Sequence, residues 1–202
     1  MKTRKSAEDR RAEIVQTALA LAFEAGPERV TTGMIADRLG LTQPAIYKHF
    51  PRKDDIWRAV TSHLSMQIAA NIARAADQAA TPVDRLRLLI LGHLRLVHTT
   101  PALPEIMVAR DPKGVQNTVR QEIRSRMADF FNALVRAIEA AQDTGHFRAD
   151  TNAQDIATLI FGIIQSLVLR MLVTRTPQVL LTDGERLLDL QLSVFARQGG
   201  NT

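Results

Sequence analysis

Apolar residues recur at intervals of three and four along most of this chain, and no alternating apolar–polar run bounded by turn residues interrupts them. That period leaves room for one secondary structure, so the chain is expected to be all-α, with proline and glycine deciding where each helix stops. A first helix over 8–25 places Ile14, Ala18, Leu21 and Ala22 on one face and ends at Gly26-Pro27. A second, short helix begins after Thr31, a suitable N-cap, and ends at Gly40. A third spans 43–50, capped by Thr42, with Pro44 tolerated in its first turn and Pro51 ending it. Longer helices follow over 53–79 and 83–99. Pro101, Pro104 and Pro112 then chop the chain into a short helix and corners, before helices over 115–142, 153–173 and 184–197. Three short helices and six mostly longer ones, about nine in all, describe a head of residues 1–53 on a larger helical body of residues 54–202.

Composition removes whole classes of function. With no cysteine there is no disulfide, no thiolate nucleophile and no Cys-ligated zinc. There is no Gly-x-Ser-x-Gly elbow, no Gly-rich phosphate loop and no His-Glu-x-x-His, so no catalytic residue is assigned and an all-α enzyme is the weakest reading. His93 and His98 stand five apart, the wrong spacing for a shared helix face, so neither a metal nor a cofactor is expected. The N-terminus MKTRKSAEDRRAEIV lacks the apolar run of a signal peptide. No stretch is expected to reach the ~20 apolar residues of a bilayer span, because Gln165, Ser166 and Arg170 interrupt the longest candidate, 156–173. A cytoplasmic protein with no membrane partner is the expectation. Net charge is +5, and residues 1–53 hold ten Lys/Arg against six acids, a balance of +4. The excess positive charge sits in the head, which points to a polyanion there.

The two short helices meeting at Gly40 have the spacing of a helix-turn-helix. Ile35, Ala36 and Leu39 face inward from the first, Leu41 plugs the turn, and Ala45, Ile46 and Phe50 face inward from the second. Thr42, Gln43, Tyr47, Lys48 and His49 project away together, on the side that enters a major groove in such motifs. The segment FEAGPERVTTGMIADRLGLTQPAIYKHFPRKDDI, with Phe23, Gly26, Thr31, Ile35, Ala36, Gly40, Tyr47, Phe50 and Lys53 in register, resembles the DNA-binding region of the TetR (tetracycline repressor) family of bacterial transcription regulators. The likeness covers about the first sixty residues. Two positions depart from it: Arg52 stands where a capping Ser or Asn is common, and Gly33 offers no side chain where some members read a base.

The resemblance implies a set of roles on double-stranded operator DNA. Thr31, Thr32, Tyr47, His49 and Lys53 would contact phosphates. Gln43, which can pair bidentately with adenine, and Pro44, which can meet a thymine methyl, would read bases, and Lys48 would meet a guanine or a phosphate. Thr42 lies on the same DNA face. Arg4 and Lys5 fit either a minor-groove arm or a solvated tail, and Trp57 is expected to pack inside the fourth helix.

In the body, the eighth helix reads IATLIFGIIQSLVLRMLV, apolar nearly all round, which calls for burial on opposite faces. The ninth helix offers Leu187, Leu188, Leu190, Leu192, Val194 and Phe195. Together they suit a two-fold four-helix interface in a homodimer, as family members resemble, with Gly162 and Ser166 small enough for close approach. The family also binds small molecules inside the body. His63, Met66, His93, Met107, Phe130, Phe131 and Phe161 would line such a site here, although each also fits plain core packing. The implied function is a sequence-specific DNA-binding regulator, a repressor released from a palindromic operator by a small, mostly apolar effector. The alternative is an all-α adaptor that binds protein partners through its basic head.

Overall fold

In the computed structural model, which describes residues 6–108 and 117–197, helices begin where side chains cap them. Helix α1 (Ala7–Ala25) opens on a reciprocal capping box: the Ser6 hydroxyl accepts from the Asp9 N–H (3.0 Å) and the Asp9 carboxylate accepts from the Ser6 N–H (3.3 Å). A short 3-10 turn, Pro27–Arg29, leads to α2 (Thr32–Leu39), where the Thr31 hydroxyl accepts from the Met34 N–H (3.1 Å). Helix α3 (Gln43–His49) departs from expectation at its start. Thr42 holds the N-cap position, but its side chain accepts no cap bond.

Helix α4 (Lys53–Gln78) lacks a capping Ser or Asn and is held another way. Asp55, three residues in, accepts from the Arg52 N–H (3.0 Å) and from the Arg58 guanidinium (2.8 Å). The remaining helices are α5 (Pro82–Thr99), α6 (Ala102–Val108), α7 (Asn117–Asp143), α8 (Ala153–Thr174) and α9 (Val179–Phe195). Among the described residues these nine helices and the 3-10 turn make up the regular structure, and there is no strand. Where expected helix ends fall on described residues they agree within two residues, apart from the start of α9. The start expected at 115, the break at Pro112, and the basic residues Arg4 and Lys5 lie outside the described residues.

Helix α9 begins at Val179, five residues before the Gly184 that reads as its start. Gly184 is instead buried inside the helix, and a Cβ there would lie 2.5 Å from Leu94 Cδ1. The glycine lets α9 press against α5, so packing outweighs its poor helix propensity.

Helix α8 corrects a second expectation: at 22 residues it is long and apolar enough, by length and composition, to cross a membrane. The helix nevertheless packs against α9 and α5, and its Ile156, Ile160, Ile164, Leu167 and Met171 are buried. Its Arg170 pairs with Asp183 of α9.

The chain divides into two compact units. The first takes the chain up to Met66 together with Thr100–Arg124; in it α1 packs against α2, α3 and α6, burying Ile14, Ala18, Leu21, Ile35, Ile46 and Phe50. Trp57 is buried in this unit, as expected. The second takes Gln67–Thr99 and the chain from Ser125, with α5, α8 and α9 packed together and Asn71 donating to the Leu89 carbonyl (3.0 Å). Helix α4 contributes to both.

Candidate nucleic-acid interface and effector-lining residues

Gly40 shapes the turn between α2 and α3. At φ 63° and ψ 36° it is left-handed, its N–H bonds to the Asp37 carbonyl (3.2 Å), and the Leu41 N–H reaches back to the Ala36 carbonyl (2.9 Å). This pair of bonds closes α2 and turns the chain toward α3. Ile35, Ala36, Ile46 and Phe50 are each at most 2% exposed and lock the two helices together. At about 0.8 kcal/mol per buried CH₂, that cluster fixes the crossing firmly. The outward face of α3 is therefore backed by buried apolar packing.

On that face Thr42, Gln43, Pro44, Tyr47 and Lys48 are exposed, and His49 is half-buried. Lys53 is half-buried at the start of α4, and Thr31 is exposed with its hydroxyl already engaged at the cap. Thr32 differs from expectation. Only 5% exposed, it faces inward, and its hydroxyl accepts from Gln43 Nε2–H (2.9 Å) and lies 3.3 Å from Tyr47 Oη. Its hydroxyl is the hub of a side-chain network under the α3 face.

Two side chains of the head, Arg11 and Arg38, make contacts that escape a reading of the sequence. The Arg11 guanidinium lies over the Phe50 ring, 4.1 Å from its centroid, and donates to the His49 carbonyl. This ties α1 to the last turn of α3 across 38 residues, and no local pattern announces it. Arg38 makes a two-pronged pair with Glu24 (2.6 and 2.9 Å), and that hydrogen bond holds the Glu24 carboxyl below its ordinary pKa. Asp55 was legible: an acid three residues past the start of a helix is a capping signal in its own right.

Of the residues expected to line an effector site, four come together in the second unit. The His93 ring lies 4.8 Å from Phe130, Phe130 lies 6.4 Å from Phe161, and Phe131 meets Phe161 edge-on at 6.1 Å. His93 and Phe130 are buried, while Phe131 and Phe161 are half-buried. His93 Nδ1 is buried without a hydrogen-bond partner, and burial pushes the imidazole down to about 4. The other three belong to the first unit. His63 Nε2 lies 3.1 Å from Gln16 Nε2, and Met107 is half-buried on α6. Met66 does not fit the expectation, since at 61% exposure it projects from α4 into solvent.

Among the described residues, the outer faces of α8 and α9 carry exposed apolar side chains. Leu159, Leu169 and Val173 of α8, and Leu190 and Val194 of α9, are exposed, and a Cβ on Gly162 would meet nothing within 4 Å.

Comparison with known proteins agrees with this architecture. Residues 14–60 match the family model described as bacterial regulatory proteins, tetR family, and residues 106–182 match the one described as Tetracyclin repressor-like, C-terminal domain. The HTH-type transcriptional regulator TtgR of Pseudomonas putida is 26% identical over 96% of this chain and 95% of its own. The nucleoid occlusion factor SlmA of Photobacterium profundum is 33% identical over 57% of this chain and 59% of its own. The solved SmeT–triclosan complex superimposes with a TM-score of 0.69 at 25% identity, covering 94% of this chain and 92% of SmeT. With a helix-turn-helix head, an all-helical body and two family models matched in chain order, the protein belongs to the TetR family of bacterial transcription regulators, DNA-binding proteins without enzymatic activity.

Proposed function

We propose that this regulator is a repressor that binds a palindromic operator as a homodimer and leaves it when a small, mostly apolar effector occupies the body. Residues 1–53 read DNA, and residues 54–202 hold the effector and the dimer contact. The observation that carries the reading is the outward face of α3, where Gln43, Pro44, Tyr47 and Lys48 stand exposed over a buried helix crossing. The exposed apolar faces of α8 and α9 support a four-helix dimer contact, because an uncovered patch of that kind marks an interaction site. His93, Phe130, Phe131 and Phe161 support an aromatic effector surface, and SmeT, a relative in fold, is known in complex with triclosan. Helix α4 runs without a break from the head into the second unit, so we assign it the transmission of effector occupancy. A DNA-binding role places the protein in the cytoplasm.

Two substitutions separate positioning from reading. Lys53→Ala removes a phosphate contact, so it weakens binding to all sequences and lowers the salt slope by about one unit. Gln43→Ala costs ~1 to 3 kcal/mol of discrimination at one base pair per half-site and leaves the slope intact. Anisotropy titrations of specific and random duplexes across salt concentrations measure both. Equal weakening of both duplexes by both substitutions would refute the assignment of Gln43.

A further inference from the structure

The network beneath α3 has a property that its individual bonds do not. Thr32 Oγ1 carries one hydrogen, accepts from Gln43 Nε2–H at 2.9 Å, and lies 3.3 Å from Tyr47 Oη, where either oxygen can donate. In free protein the direction of the Thr32–Tyr47 bond is open. A phosphate closes it, because a phosphate oxygen only accepts. Once Tyr47 gives its hydrogen to a phosphate, it can only accept from Thr32. Thr32 has then spent its single hydrogen and can only accept from Gln43. Gln43 must therefore hold its amide nitrogen, not its carbonyl oxygen, toward Thr32.

That polarity decides what Gln43 has left to offer. Of its two N–H groups one is committed to Thr32, leaving one N–H and the Oε1 acceptor. Adenine presents one acceptor and one donor in the major groove, N7 and N6–H₂, and satisfies both. Guanine presents two acceptors, N7 and O6, and would leave Gln43 Oε1 facing O6 unpaired. We propose that the Tyr47–phosphate contact, relayed through the buried hydroxyl of Thr32, sets the amide orientation of Gln43 and so makes adenine the base read at that position of each half-site. Thr32 is a positioning residue that touches no DNA, and Tyr47 contributes to specificity as well as to affinity. The inference rests on the proposed reading of Gln43 and Tyr47 as base and phosphate contacts.

Selection of duplexes from a random library by the full-length protein, followed by competition between single-base variants, tests it. The expected result is one half-site position that loses its preference in Gln43→Ala and at which wild type favours adenine over guanine by about 10-fold. That preference falls to about 2-fold or less in Thr32→Val, which keeps the shape and removes the hydroxyl, and equally in Tyr47→Phe. Thr32→Ser, which restores the hydroxyl, recovers it. A thermal melt verifies that Thr32→Val is folded, and Tyr47 is exposed, so its variant reads the relay without that concern. A wild-type preference for guanine at the Gln43-dependent position overturns the proposal, as does an unchanged adenine preference in either variant. If no position responds to Gln43→Ala, the base-reading role of Gln43 itself falls, and the relay with it.

Discussion

His93 shows how one buried side chain makes stability depend on pH. It is 3% exposed, stacked near Phe130, and its pKa of about 4 in the fold lies below the ordinary 6.5 of an unfolded chain. The sign follows: below pH 6.5 the unfolded chain takes up a proton that the folded protein refuses, so stability is full above that value and declines toward pH 4. Between pH 7 and 4.5 this group alone removes about 2 to 3 kcal/mol. Urea midpoints of wild type at the two pH values should differ accordingly, and His93→Leu should show a smaller difference. An identical pH dependence in both proteins would mean that His93 is not held neutral. At this scale the sequence is readable where partners are close along the chain. The Thr31 cap and the Gly40 turn each involve residues within five positions, so their residue types identify them. Thr32 was expected to face DNA, and its inward turn depends on how α2 crosses α3. Met66 was expected inside, but a helical period shows which residues share a face, not which face the rest of the fold covers.

Elements were legible where punctuation and packing agree. Helix α2 ends at a glycine that is also needed in the left-handed region, and α1 opens on a serine that also caps. Helix α9 was misplaced because Gly184 serves packing rather than termination, and a close approach between helices distant in sequence leaves no local trace. The same contact yields a prediction. Gly184→Val must displace Leu94, itself 1% exposed, and should destabilise the protein by about 2 kcal/mol through overpacking. Chemical denaturation reads this directly, and an unchanged midpoint would mean that α5 and α9 are not in the described contact. Helix α8 carries the opposite lesson. Its composition alone passes for a membrane span, while its packing buries one face and leaves Leu159, Leu169 and Val173 exposed, the face proposed for the dimer contact.

At the scale of the whole molecule, the charge distribution, the α3 face and the exposed apolar faces of α8 and α9 support the proposed arrangement: two copies of this chain, joined through their bodies, presenting two recognition helices to one duplex. Such a dimer reads half-sites one helical turn apart, about 10 base pairs centre to centre, or a multiple of that. Leu169→Glu, which places a charge on the exposed face of α8, should shift the protein toward monomer in sedimentation and weaken operator binding without touching the head. The most direct measurement is a nuclease footprint of wild type on DNA selected from the source genome. The expected result is two protected half-sites related by a two-fold axis, with protection of both lost together in Leu169→Glu. A single asymmetric protected site, or protection that Leu169→Glu leaves intact, would contradict the dimeric reading.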